Sequence, residues 1–198
     1  MKYSTSKPGN QPGNRAGIVK KVPKMLMHVC CATCAGYPIQ LLSEDYNITM
    51  FFFNPNIQPL EEYQRRLNNV ERLSEISGIP LIAGPYDPEI WLKQVEGLED
   101  EPEGGKRCNI CFDVRLGKTA DMARDKKMDI FSTTLSISPH KNVNVINGIG
   151  KALSVNAGIK YYTADLKKKD GFKKANEISR SYGFYRQKYC GCVYSKKV

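Results

Sequence analysis

Lys24-Met25-Leu26-Met27-His28-Val29-Cys30-Cys31-Ala32-Thr33-Cys34 decides how this chain is read. The run from Lys24 to Val29 is mostly apolar, suited to a buried strand and short for a buried helix. It stops at two adjacent cysteines, and Ala32–Ser43 continues with helical spacing. Strand, turn and helix therefore follow one another directly.

Working outward, the same alternation repeats. Ile48–Phe53 is a second apolar strand, closed by Asn54-Pro55-Asn56. Pro59–Ser77 carries Leu60, Tyr63, Leu67, Val70, Leu73 and Ile76 at helical spacing and stops at Gly78. Ile79–Ala83 reads as a third strand, Pro88–Glu96 as a helix, and Gly97 to Lys106 as an acidic Gly-rich loop. Cys108 opens a helix to about Lys127, and Met128–Thr134 is a fourth strand. Leu135–His140 is a polar turn, Lys141–Ala157 a helix, and Ile159–Tyr162 a last short strand. The rest is basic, Tyr-rich and mostly irregular. Strands alternating with helices predict an α/β fold, an open, mostly parallel sheet with helices on both faces. Ligands of such sheets bind beyond the C-terminal ends of the strands. Cys30-Cys31 follows the first strand and Ser136–His140 the fourth, so both belong on that edge.

The 198 residues suit one domain, long enough to bury about 70 % of the unfolded surface without metal or disulfides. We expect a single α/β domain over residues 25–198, preceded by a basic extension, residues 1–24. The extension has no apolar secretory core, and the apolar run near Met50–Phe53 is far too short to span a bilayer. The expected compartment is the cytoplasm. Thiols stay reduced there, so seven cysteines read as metal-binding or catalytic. Charge is unevenly placed: residues 1–24 carry six basic and no acidic side chains, residues 25–159 thirteen and seventeen, and residues 160–198 eleven and three. Basic ends on a mildly acidic middle are the footprint of a phosphate-rich partner.

The cysteines fall in three groups. Cys108-Asn109-Ile110-Cys111 is a C-x-x-C in the first turn of a helix, where free N–H groups and the helix dipole favour thiolates. Alone it fits a zinc half-site, an iron–sulfur half-site or a dithiol pair. Cys30-Cys31 is more specific. Adjacent strand residues point apart and converge only where the strand breaks into a turn. A tetrahedral zinc prefers ligands two to four residues apart. The corners of a cubane are separate, so Cys30, Cys31, Cys108 and Cys111 together suit a 4Fe–4S cluster, with a zinc knuckle as the alternative. In Cys190-Gly191-Cys192, glycine lets the chain bend until the thiols meet. A ring that small is strained and easily reduced, which makes the pair redox-active; metal ligation is the alternative. Cys34 and Asp113 are candidate ligands of a second metal ion, iron or zinc. His28 lies two residues before Cys30 and is either a neighbour of that site or a hydrogen-bonded core imidazole. The turn His140-Lys141-Asn142 suits an anion at a helix start, or ordinary capping. Lys167, Lys168 and Lys169 are candidate phosphate contacts.

His28-Val29-Cys30-Cys31-Ala32-Thr33-Cys34, Phe53-Asn54-Pro55-Asn56-Ile57, Cys108-Asn109-Ile110-Cys111-Phe112-Asp113, Ser132 to Asn142 and Tyr189-Cys190-Gly191-Cys192, in that order, resemble the QueH-type epoxyqueuosine reductase family. The likeness runs over residues 25–195. It implies a nucleotide-binding α/β fold like that of other tRNA-modifying enzymes. It implies reduction of epoxyqueuosine to queuosine at the wobble position of tRNA, without cobalamin. A 4Fe–4S cluster on Cys30, Cys31, Cys108 and Cys111, and a redox-active Cys190–Cys192 pair, are implied with it. The partners are a tRNA with a queuosine-type anticodon and an electron donor that the sequence does not identify. Tyr182, Phe184, Tyr185, Tyr189 and Tyr194, interleaved with Arg180, Arg186 and Lys188, are expected to stack on splayed bases. Two other classes compete. One is a zinc-stabilised RNA-binding module. The other is a tRNA sulfur-transfer enzyme, which would want an ATP phosphate loop where Cys30-Cys31-Ala32-Thr33-Cys34 stands.

Overall fold

A computed structural model describes residues 21–196. Five strands form one parallel sheet: β1 (Lys24–His28), β2 (Asn47–Phe52), β3 (Leu81–Ala83), β4 (Ile130–Thr133) and β5 (Lys160–Tyr161), in the order β3-β2-β1-β4-β5. The helices are α1 (Ala32–Leu42), α2 (Leu60–Ser77), α3 (Pro88–Gln94), α4 (Lys106–Asp125), α5 (Val143–Ala157) and α6 (Gly171–Ser181). The basic N-terminal extension lies outside the described residues except for its last four.

β1 is central, and Met25, Leu26, Met27 and His28 are all fully buried, as expected of a strand covered on both faces. Alternation along it separates two cores. Met25, Met27 and Val29 join Met50, Phe52 and residues of α1 and α2 on one face. Leu26 joins Phe51, Phe53, Phe131 and the small residues Ala120 and Ala123 of α4 on the other. Met25 pairs with Ile48 on one side and Ile130 on the other. The chain leaves β1 in one direction through α1 and β2, and leaves β4 in the other through α5 and β5. The edge between β1 and β4 is therefore the switch point at which this architecture opens a crevice.

Gly78 ends α2 in the left-handed conformation, φ 70°, as its place after the apolar stripe suggests. Three expectations need correction. Cys108 does not open α4 but sits in its first turn, two residues inside, because Glu101 Oε2 accepts from the Lys106 N–H and starts the helix earlier. The turn after β4, expected to be polar over Leu135–His140, begins as a buried 3-10 turn, Thr134–Ile137, with Leu135 and Ile137 in the core. The tail is not mostly irregular, since α6 packs along α1. Its apolar stripe is narrow (Phe172, Ala175, Ile178), and the surrounding charges hide it in the sequence.

His28 is a core imidazole. Its Nδ1 lies 3.0 Å from Thr133 Oγ1 and its Nε2 3.1 Å from the Phe53 carbonyl. The Phe53 carbonyl can only accept, so Nε2 carries the ring proton, and Thr133 Oγ1, which accepts from the Leu135 N–H, donates its hydrogen to Nδ1. Burial, helped by the Arg115 charge, lowers the His28 pKa from 6.5 to about 4. Between those values only the unfolded chain binds the proton. Stability is complete above pH 6.5 and falls as pH drops, by about 1.4 kcal/mol per unit and about 3 kcal/mol in all by pH 4. Urea unfolding of the parent and His28→Gln between pH 7 and 5, above most carboxylate titration, should show that slope in the parent alone.

Candidate metal centre

The strand break after β1 does what adjacent cysteines need. Cys31 takes the N-cap of α1 with extended backbone, φ −170°, and its sulfur accepts the Cys34 N–H at 3.3 Å. Cys34 thus turns back toward the pair. The ligand atoms of Cys30, Cys31 and Cys34 all lie within 4.8 Å of one another, and the Cys30 and Cys31 sulfurs are 3.9 Å apart. Gln187 Nε2 donates to Cys31 Sγ at 3.1 Å from the far end of the chain. Hydrogen bonds from Cys31 and Cys34 hold the Cys30 thiol well below the usual range, with Lys141 adding to them against the cost of burial. Cys31 is pushed up to about 12, chiefly by donating a hydrogen bond to Cys30 while keeping its proton. Three thiols this close together are spaced as ligands that one cation could bridge.

Cys108 packs with the group that holds Cys30 and Cys31, and its sulfur accepts the Gly104 N–H at 3.2 Å. Cys111, one turn on, is buried with Trp91 and Cys192; burial raises its thiol, and Arg115 opposes that. Cys190 and Cys192 are free thiols with sulfurs 3.7 Å apart. Cys192, hydrogen-bonded to it, is the main cause that lowers Cys190 to about 5, and Cys192 is raised in return. The pair is thus a thiolate beside a thiol at neutral pH.

Two cavities meet at these groups. An open cleft of ≈ 700 Å³ is lined by Cys30, Cys34 and Cys190. A small cavity of ≈ 30 Å³ is lined by Cys108, Cys111, Cys190 and Cys192. Cys190, Arg115, His140 and Lys141 face both. Asn142 lines the small cavity and also caps α5, its Oδ1 accepting the N–H groups of Asn144 and Val145. Asp113 is exposed and lines neither cavity, and the three-thiol group contains no carboxylate. Lys167 donates to the Lys141 carbonyl at 3.2 Å and braces that turn, while Lys168 and Lys169 are exposed.

The tail aromatics do not stand free for stacking, contrary to expectation. Phe184 is buried, the Tyr185 hydroxyl donates to Glu62 Oε2, the Tyr189 hydroxyl donates to the Gln58 carbonyl, and Tyr194 lies against Trp91 and Arg107. These rings fasten the C-x-C segment to the body. Arg66, 1 % exposed, completes the fastening. Its Nη1 and Nη2 donate to the Cys190 and Tyr189 carbonyls at 3.0 and 3.1 Å, and its Nε to Glu62 Oε1 at 2.7 Å. Sequence reading misses Arg66 because Glu62 and Arg66, four apart, look like a solvated helix pair. Gly191 sits at φ +120°, where a Cβ would meet Ile57 Cγ1 at 2.9 Å and Arg66 Nη1 at 3.2 Å. Gly191→Ala should lower stability by about 1–3 kcal/mol, read from urea unfolding, with the helical signal kept.

Three close buried thiols, with four more around the adjoining cavities, fit a metal or iron–sulfur cofactor. A parallel α/β sheet with its thiols gathered at the switch point defines an α/β protein of the nucleotide-binding fold class whose thiol-lined site fits such a cofactor. The chain belongs to the family described as epoxyqueuosine reductase QueH, a family of oxidoreductases, whose model matches residues 25–198. Among curated relatives of that name, the one from Streptococcus pyogenes serotype M1 is 42 % identical over 182 residues, 89 % of this chain and 71 % of its own length. The Acinetobacter baylyi relative is 38 % identical over 188 residues, covering 94 % and 86 %. Among solved structures, the U34-tRNA thiolase NcsA from Methanococcus maripaludis with its [4Fe-4S] cluster aligns with TM-score 0.57 at 15 % identity, over 91 % of this chain and 63 % of that one. A predicted subunit of tRNA methyltransferase from Methanocaldococcus jannaschii aligns with TM-score 0.53 at 16 % identity, over 77 % and 74 %. Such low identities show the shared fold alone. Among the described residues no helix is long and apolar enough to cross a membrane.

Proposed function

We propose that this chain reduces epoxyqueuosine to queuosine at the wobble position of tRNA. In this reading Cys30, Cys31, Cys108 and Cys111 hold a 4Fe–4S cluster, and Cys190 and Cys192 cycle between dithiol and disulfide. The observation that carries it is the position of Cys190, which faces the three-thiol cleft on one side and the Cys108–Cys111 cavity on the other. Bound to those cysteines, a cluster supplies single electrons and a Lewis-acid iron. Cys34 is the ligand left for a second metal ion beside it.

Removing an epoxide oxygen to leave an alkene takes two electrons and two protons and releases water. Closing the Cys190–Cys192 bond supplies both electrons. The Cys190 thiolate and Cys192 thiol bring one proton between them, and water in the open cleft brings the other. A cellular reductant then reopens the disulfide. The cleft suits a nucleotide by its polarity. Thr134, Asn176 and Gln187 each present there a buried oxygen with no hydrogen-bond partner in the folded chain, and Lys141, Arg186 and Lys188 supply positive charge at its wall.

Affinity for a tRNA anticodon stem-loop should fall as salt rises, with a logarithmic slope of about −3 to −4 for four or five neutralised phosphates. Replacing Lys168 and Lys169 by Gln spares the Lys167 brace and should flatten that slope. Binding at two salt concentrations, and turnover of the stem-loop against the free modified nucleoside, test the reading. A salt-independent affinity, or equal turnover of the nucleoside, would indicate a small-molecule reductase instead.

A further inference from the structure

A buried donor and a buried cation lie beside the thiols. Trp91, the single tryptophan, is fully buried on α3. Its indole Nε1 meets no acceptor at ordinary hydrogen-bond geometry; the residue lines the small cavity with Cys108 and Cys111 and packs with Cys111 and Cys192. An indole N–H so placed normally costs about 1–3 kcal/mol if left unmade, and native interiors rarely tolerate that. The nearest chemistry is sulfur: the indole is among the groups that favour the Cys111 thiolate, against the burial that disfavours it.

The cation is Arg115. It lies one turn beyond Cys111 on α4 and is 4 % exposed. Its Nε donates to the Cys111 carbonyl at 2.9 Å and its guanidinium lies 5.6 Å from the centre of the Phe112 ring. No carboxylate pairs with it within salt-bridge distance among the described residues, although Glu103 lines the same two cavities, and it brings positive charge to the wall they share. A buried cation requires an anion. All-thiolate iron–sulfur centres are net negative and become more so on reduction.

Building on the cluster assignment above, we propose that Trp91 and Arg115 are positioning residues of the cysteine-bound centre, donating N–H···S hydrogen bonds from the Cys111 side and holding its reduction potential up. Donors and positive charge stabilise the reduced form more than the oxidised one, because the added electron raises the negative charge on sulfur. The same ligands without them would be harder to reduce. Neither residue touches the substrate in this role, so the effect is present without tRNA.

The test is an EPR-monitored redox titration of anaerobically reconstituted parent, Trp91→Phe, Arg115→Lys and Arg115→Gln, with iron and sulfide analysis of each and no tRNA present. Trp91→Phe keeps the aromatic packing and removes the N–H. It and Arg115→Gln should each retain iron and sulfide and each shift the one-electron equilibrium toward the oxidised form at least tenfold, which is 59 mV. Arg115→Lys keeps the charge and should recover part of the shift. A Trp91→Phe protein with full iron content and the parental potential overturns the proposal. If Arg115→Gln fails to assemble its cluster, Trp91→Phe decides alone. A parent with no iron–sulfur signal refutes the cluster assignment itself, a different outcome from a cluster whose potential does not move.

Discussion

Cys108→Ala should lose its iron–sulfur absorption and its turnover together, down to background. The reason lies in how α4 presents the side chain. Cys108 sits in the first turn, its sulfur accepting the Gly104 N–H. It packs with the Cys30 and Cys31 group from across the switch-point crevice. Removing it leaves a first group of thiols without a ligand on the opposite wall. Its structural cost is small, because Cys108 is only partly buried, so the variant should fold and unfold like the parent in urea. Visible absorption, iron and sulfide analysis and a tRNA reduction assay give the answer. Full cluster content in this variant would remove Cys108 from the ligand set and return Cys34, already in contact with the first pair, as the leading candidate.

Cys190→Ser should do the opposite to the two readouts. It should keep the iron–sulfur absorption and lose turnover by at least a thousandfold, since serine cannot form the disulfide that supplies the electron pair. The Arg66 contact to the residue 190 carbonyl does not depend on its side chain, so the loop should stay in place. The pair also predicts a reactivity profile. With the Cys190 thiol held near 5, alkylation of the metal-free chain at this residue should be half-maximal near pH 5, well below an ordinary thiol. Mass spectrometry after timed alkylation at pH 4 to 9 reads it. Loss of the cluster in Cys190→Ser would show that this residue is a ligand and that the division of labour between the cysteine groups is wrong.

Much of the frame was legible from patterns that short-range physics enforces. The buried run of β1 ending in a cysteine turn, the long stripe of α2 and the alternation of strand with helix point to a parallel sheet, and the motifs fall on its C-terminal edge. α6 escaped because its apolar positions are few and lie between Lys173, Lys174, Glu177 and Arg180. The C-terminal rings were misread for a related reason. Composition shows that Tyr185, Tyr189 and Tyr194 are amphipathic, but not that Glu62, Gln58 and Arg107 are waiting for them across more than eighty residues of chain. Arg66 and Arg115 illustrate the same limit, since a buried arginine and a solvated one are spelled alike. The cysteine groups were visible as groups, yet only the fold shows Cys34 turned into the first of them and Asp113 turned away.

The most direct test of the whole account is anaerobic purification with iron and sulfide analysis, followed by reaction of the same sample with an epoxyqueuosine-bearing anticodon stem-loop and a low-potential reductant. The account predicts about four iron and four sulfide per chain and conversion of the modified base to queuosine. A colourless protein holding zinc, with the stem-loop bound but unchanged, would contradict it.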